Sequence, residues 1–137
     1  MRYLGLDLGT KTIGLAISDR TGLIATSYQV LRHDNDPSTC LPTLEEIIKK
    51  EQIEALVLGY PKNMNNTIGP RAKATLDFQS KLQDTFSLPV FLEDERLSTV
   101  SAEQTLIKAN MQRKKRKEVI DSVAATIILQ AYLDKRR

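Results

Sequence analysis

The chain has 137 residues, an apolar share of 41% and a net charge of +3. That length suits one domain, residues 1–137, and the apolar share excludes a disordered chain. The single cysteine, Cys40, excludes an intramolecular disulfide and a cysteine-rich zinc site, and neither a membrane span nor a signal-peptide core is legible, so a cytoplasmic protein is expected.

Residues 3–19 read as two strands and a tight turn. Tyr3, Leu4, Leu6 and Leu8 form a short apolar run, the pattern of a strand buried on both faces. Gly9 to Thr12 supply the turn. Ile13, Leu15 and Ile17 then alternate with Gly14, Ala16 and Ser18, which is strand periodicity. One carboxylate, Asp7, interrupts the first strand. Burying it is costly unless a metal or a cation meets it. The plainer alternative is a turn cap beside Gly9.

Ile24 to Leu31 reads as a third strand, antiparallel to the second. The polar loop 32–37 carries the single histidine, His33, which is expected to be solvated rather than catalytic. Ser38 or Thr39 would cap a helix with Leu41, Leu44, Ile47 and Ile48 on its inner face, and Cys40 would pack as a small apolar group. Ile53 to Leu58 ends as a parallel strand beside the first, broken at Gly59, Tyr60 and Pro61. The amide-rich loop 62–69 follows, where ligand sites of open α/β sheets collect.

Pro70 suits the first position of a helix whose inward stripe is Ala72, Leu76, Gln79, Leu82 and Phe86. Leu88 to Leu92 form the next strand. Glu93, Asp94 and Glu95 place three carboxylates at its exit, which packing alone does not explain, and alternation sends Asp94 and Glu95 to opposite sides. A helix is expected over about 100–109. The cations Arg113, Lys114, Lys115, Arg116 and Lys117 then form a basic loop ahead of a last helix from about Glu118 to Lys135. Its expected apolar face is Ile120, Val123, Ala124, Ile127, Ile128 and Ala131, with Asp121 at the edge. Ala124 and Ala125 would let it approach the sheet closely.

This order predicts an α/β fold. It is a five-stranded mixed sheet, a three-stranded antiparallel meander plus two parallel strands, flanked by helices. Asp7, one of Glu95 and Asp94, and Asp121 would converge on one face. Such a set suits Mg²⁺ or Mn²⁺, which take oxygen ligands and support phosphodiester cleavage. Surface ion pairing is the alternative for Glu95, Arg96 and Asp121. Lys11 and Arg96 are candidate phosphate contacts. The run Arg113 to Lys117 is a candidate nucleic-acid contact, because residues 108–117 contain no acid to neutralise it.

Four stretches together resemble the YqgF (RuvX-like) family: Leu6 to Asp19, Gly59 to Arg71, Asp94 to Thr99, and Asp121 to Leu133. The resemblance implies a bacterial protein with a ribonuclease H-like fold and an acidic triad of Asp7, Glu95 and Asp121. Asp94 and Glu118 are further candidates for the metal shell. The family is described both as pre-16S rRNA nucleases and as Holliday junction resolvases. The leading expectation is therefore a metal-dependent nuclease, a hydrolase that processes the 5′ end of pre-16S rRNA in ribosome biogenesis. The alternatives are a Holliday junction resolvase in DNA recombination and repair, and a non-catalytic RNA-binding ribosome-assembly module. Implied partners are nucleic acid, as pre-rRNA or branched DNA, and the ribosome or its precursors. Asp7 to Thr10 also resembles the phosphate loop of sugar kinases, actin and Hsp70-type ATPases, but those need two such domains and this length holds one.

Overall fold

The computed structural model describes residues 1–9, 11–60, 70–94 and 113–135, with the side chains of 70, 71, 94 and 113–122 outside that description. The strands are β1 (Tyr3–Leu8), β2 (Thr12–Ser18), β3 (Ala25–Arg32), β4 (Ala55–Tyr60) and β5 (Val90–Asp94). The helices are α1 (Leu41–Glu51), α2 (Pro70–Phe86) and α3 (Arg113–Lys135). The strands form one sheet in the order β3-β2-β1-β4-β5, so β1 is central. β1, β2 and β3 pair antiparallel, whereas β4 is parallel to both β1 and β5. This is the expected meander plus two parallel strands.

Strand alternation divides the core in two. Leu4, Leu6 and Leu8 of β1 point to one face, where Ile13, Leu15, Leu56 and Leu58 join Leu44 and Ile47 of α1 and Phe78 and Leu82 of α2. Tyr3 points to the other face, with Ala16, Ala55 and Val57, under Ala125, Ile128, Leu129 and Leu133 of α3. The β2–β3 hairpin is organised by Asp19. Its carboxylate accepts the N–H groups of Leu23 (2.9 Å) and Ile24 (3.2 Å) and the hydroxyl of Thr21. Those donors, Thr21 foremost, hold its pKa at about 2.

Several local expectations differ from what is observed. Neither Ser38 nor Thr39 caps α1: the N-cap position of α1 is Cys40, without a side-chain cap hydrogen bond, and the capping side chain lies one turn earlier, at Asp36. It accepts from the Ser38 N–H (3.2 Å) and opens a 3-10 turn, Pro37–Cys40. Gly59 and Tyr60 continue β4 rather than break it, because β5 pairs with them through Glu93 and Asp94. The buried side of α2 carries Ala72, Thr75, Phe78 and Leu82, while Leu76 is only half-buried. Phe78 joins Leu82 in the core on this side of the sheet, and Ala72 and Leu82 of the expected stripe are buried as read. Cys40 is buried, as expected.

α3 begins at Arg113, five residues before the expected start, so the basic run is its first turns and not a loop. Its buried face is Ala124, Ala125, Ile128, Leu129 and Leu133, and Val123, Ile127 and Ala131 are only half-buried. Two apolar stripes lie side by side on this helix. The sheet selects the one whose small residue, Ala125, can settle over Gly5. The helix expected over about 100–109 lies outside the described residues. Among the described residues no helix is long and apolar enough to cross a membrane.

Candidate active site

Asp7 sits near the C-terminal end of the central strand and is half-buried. It shares a face with Tyr3 and Gly5, the face covered by α3. Its partner across the antiparallel pair is Gly14. On the parallel side Leu6 pairs with Leu58, and one residue further the same register brings Gly59 alongside Asp7. The carboxylate is thus flanked on both neighbouring strands by residues without side chains. That leaves room around it that two bulkier neighbours would fill.

The turn after β1 is tight. Gly9 N–H donates to the Thr12 carbonyl (2.8 Å). A Cβ at Gly9 would lie 3.1 Å from Thr12 Oγ1, closer than nearly all real contacts of that kind. Lys11 stands exposed on this turn. The loop after β3 braces it twice. His33 N–H donates to the Lys11 carbonyl (2.9 Å), and His33 Nε2 lies 3.2 Å from the Gly9 carbonyl. His33 is therefore half-buried against the turn rather than solvated, which corrects the sequence reading. Spacing gives no warning of this, because the two segments are joined only by the pairing of β2 with β3.

α3 crosses the Asp7 face at close range. Tyr132 meets Tyr3 edge-on, ring centres 5.8 Å apart. Opposite Gly5 lie Leu129 and Ala125, and a Cβ on Gly5 would stand 2.8 Å from Leu129 Cβ and 3.3 Å from the Ala125 carbonyl oxygen. Polar contacts fasten the helix to both sheet edges. On β3, Gln130 Oε1 accepts from Ala25 N–H (2.9 Å), and the Thr126 and Ser27 hydroxyls are 2.9 Å apart. On β5, Lys135 Nζ donates to both oxygens of Glu93 (2.6 and 2.8 Å).

Glu93 is only 4% exposed, so one of the three carboxylates at the exit of β5 is accounted for as the buried half of an ion pair. That corrects the reading of the trio as unexplained by packing. The partner, 42 residues away, has no local signal in the sequence. Asp94 closes β5, paired with Tyr60, and its side chain lies outside the described residues. So do Glu95 and Arg96 and the side chains of Arg113 to Lys117, Glu118 and Asp121. Among the described residues no three His, Cys, Asp or Glu side chains form a group that would hold a metal ion. Asp7 is the candidate ligand the structure describes. Its hard oxygen donors and its glycine neighbours fit a hydrated divalent cation.

The family model described as "RuvX: Holliday junction resolvase" matches residues 1–135. The chain belongs to the RuvX family. Full-length relatives agree. A Geobacillus kaustophilus protein named "Putative pre-16S rRNA nuclease" is 52% identical to this RuvX chain over 138 residues, covering 100% of both. A Bacillus subtilis protein of the same name is 50% identical over 135 residues, 98% of each. Among solved structures, Thermus thermophilus RuvC in complex with a Holliday junction substrate superposes with a TM-score of 0.59 at 13% identity, covering 99% of the RuvX chain and 95% of its own. The fowlpox virus Holliday junction resolvase gives 0.58, also at 13% identity, with complete coverage of both. At that identity these two show the fold, which is the ribonuclease H-like one expected.

Proposed function

We infer that this protein is a metal-dependent nuclease of one domain, residues 1–137, and that its substrate is the precursor end of 16S rRNA. The carrying observation is Asp7, a carboxylate on the central strand of this fold, between two glycines and under α3. Family membership selects this reading over the two-domain ATPases. Relatives at about half identity carry the pre-16S rRNA nuclease name over their whole length. The family description supplies the second reading, a four-way DNA junction.

Asp7, Glu95 and Asp121 would hold the ion, with Glu118 as a further ligand. Register along α3 supports Asp121. Tyr132 lies by Tyr3, and Leu129 and Ala125 lie by Gly5. Two more residues along β1 reach Asp7, about 7 Å on. Four residues back along α3 reach Asp121, about 6 Å on. Glu95 is assigned over Asp94 from the motif shared with the family. On the described part of β5 the α3 face carries Phe91, stacked on Tyr132, and Glu93, paired with Lys135. When bound, Mg²⁺ or Mn²⁺ supplies an activated water and charge stabilisation for phosphodiester cleavage. The chain's own work is positioning. β1 and α3 hold the carboxylates rigidly, and Lys11 and Arg96 would hold the phosphate.

The deciding assay incubates the purified protein with a 16S precursor-end RNA and a four-way DNA junction, side by side, with Mg²⁺, with Mn²⁺ and with excess chelator. Cleavage of the RNA, abolished by chelation, is the expected result. Cleavage of the junction alone would select the second reading, and metal-independent or absent cleavage of both would sink the enzyme.

The basic run at the head of α3 would bind the substrate backbone. The first turn of α3 contains no acid. Cations at a helix N-terminus oppose its dipole, so five of them there cost folding energy that a nucleic-acid contact would offset. Backbone contacts of this kind give affinity without sequence choice. Replacing Lys114, Lys115 and Arg116 by Ser is expected to weaken RNA binding and to flatten the slope of log K against log salt by about two to three units. An unchanged slope would leave the run as a solvated surface.

A further inference from the structure

The turn that carries Lys11 is held from outside by a single residue of another strand's exit. Gly9 opens this turn and has no side chain to restrict its backbone. The position of the turn therefore depends on what its carbonyls meet. His33, just past the end of β3, meets two of them. Its N–H donates to the Lys11 carbonyl (2.9 Å), and its ring Nε2 lies 3.2 Å from the Gly9 carbonyl.

The two contacts differ in kind. The backbone bond continues the β2–β3 ladder one step beyond the Thr12–Arg32 pair, and any residue but proline would make it. The ring bond needs a side chain with a donor at that reach. A carbonyl only accepts, so Nε2 carries the hydrogen. The other ring nitrogen, Nδ1, is buried with no hydrogen-bond partner among the described residues. A buried polar atom left unpaired costs at least what one hydrogen bond contributes, so the polar groups of the ring bring no net stability. What the ring bond fixes is the Gly9 peptide. That peptide is two residues beyond Asp7, about 7 Å along the strand, and two residues before Lys11.

We propose that His33 is a positioning residue: its ring holds the Gly9 carbonyl so that Lys11 stands where a substrate phosphate beside Asp7 meets it. This role rests on the reading of Lys11 as a phosphate contact. Lys11 is exposed and its stem is flexible, so the backbone beneath it decides the space that its ammonium searches. A fixed backbone narrows that space before the substrate arrives and lowers the ordering cost of binding.

The test is a double-mutant cycle read by equilibrium binding, in excess chelator so that cleavage does not intervene. Fluorescent 16S precursor-end RNA and a four-way DNA junction are titrated at several salt concentrations. Phosphate is common to both, so whichever the wild type binds serves as the probe. Lys11→Ala is expected to weaken binding roughly fivefold, the upper range for an exposed ion pair. It should flatten the slope of log K against log salt by about 0.7–0.9. His33→Ala is expected to lose roughly threefold when Lys11 is present and nothing further in the Lys11→Ala protein. His33→Gln keeps an N–H donor at the reach of Nε2 and should bind like wild type. All three should melt within about 3 °C of wild type. With metal restored, His33→Ala should raise KM and keep kcat. An equal loss in both backgrounds overturns the proposal, as does a His33→Gln protein no better than His33→Ala or a loss that tracks a lowered Tm. A Lys11→Ala protein with wild-type affinity and slope also overturns it, and cleavage by that protein would leave the nuclease reading standing. If the wild type binds neither probe, the nucleic-acid reading falls and the role of His33 falls with it.

Discussion

Asp7→Asn is expected to lower cleavage by roughly three or more orders of magnitude while the protein stays folded. The change keeps size and shape and removes a hard anionic donor from the rigid centre of the sheet. Asn can still occupy the space between Gly14 and Gly59, so the core beneath it need not move. Circular dichroism and the melting temperature check the fold, and single-turnover cleavage checks the chemistry. The companion changes Glu95→Gln and Asp121→Asn should each cost about as much. Combining them should cost little more than either alone, because groups that hold one site fail together. A folded Asp7→Asn protein that cleaves at near wild-type rate would remove the metal site from the account. Damage from Asp94→Asn with a silent Glu95→Gln would reverse the assignment at the end of β5.

Gly5→Val should be the most damaging change outside the proposed ligands. Even the first added carbon would stand 2.8 Å from Leu129 Cβ, on the rigid part of a side chain that cannot swing away. The helix must lift or the strand must bend. Overpacking of this kind costs about 1–3 kcal/mol, and the two further methyls of Val put it at the upper end. For a chain of this size that is a fall of roughly 5–10 °C in Tm. Activity should fall further than stability alone dictates. α3 carries Asp121, and a displacement of about 1 Å at reacting groups can cost about a hundredfold. The measurement is kcat/KM well below the lowered Tm, where the protein is fully folded. A loss of stability with full cleavage would mean that the seat of α3 over Gly5 does not position the site. No loss of either would mean that the close approach itself is wrong.

The elements that the sequence reveals are those whose signals are local. β1 is legible as a short apolar run, and β2 because its apolar positions repeat with period two after a glycine turn. α1 is legible because Leu44 and Ile47 recur on one helical face with charges opposite. The parallel pairing of β4 with β1 follows from a helix between two apolar strands. Asp7 stands out from the run around it, and the motif that contains it carries the family resemblance. None of those readings needs knowledge of what lies across the fold.

The tertiary structure decides the rest, because the deciding contacts join residues far apart in the chain. α3 has two apolar stripes, and only the notch at Gly5 shows that Ala125 and Leu129 turn inward rather than Val123 and Ile127. The start of α3 lies in a run of cations that helix dipole arguments would place elsewhere, so composition pointed to a loop. Glu93 looks like one of three free carboxylates until Lys135 arrives from 42 residues away. His33 looks solvated until β3 pairs with β2 and brings its ring against the Gly9 carbonyl. Periodicity reports which side of an element is apolar. Which of two apolar sides is buried, and which polar group finds a partner there, is settled by the shape of the surface it meets.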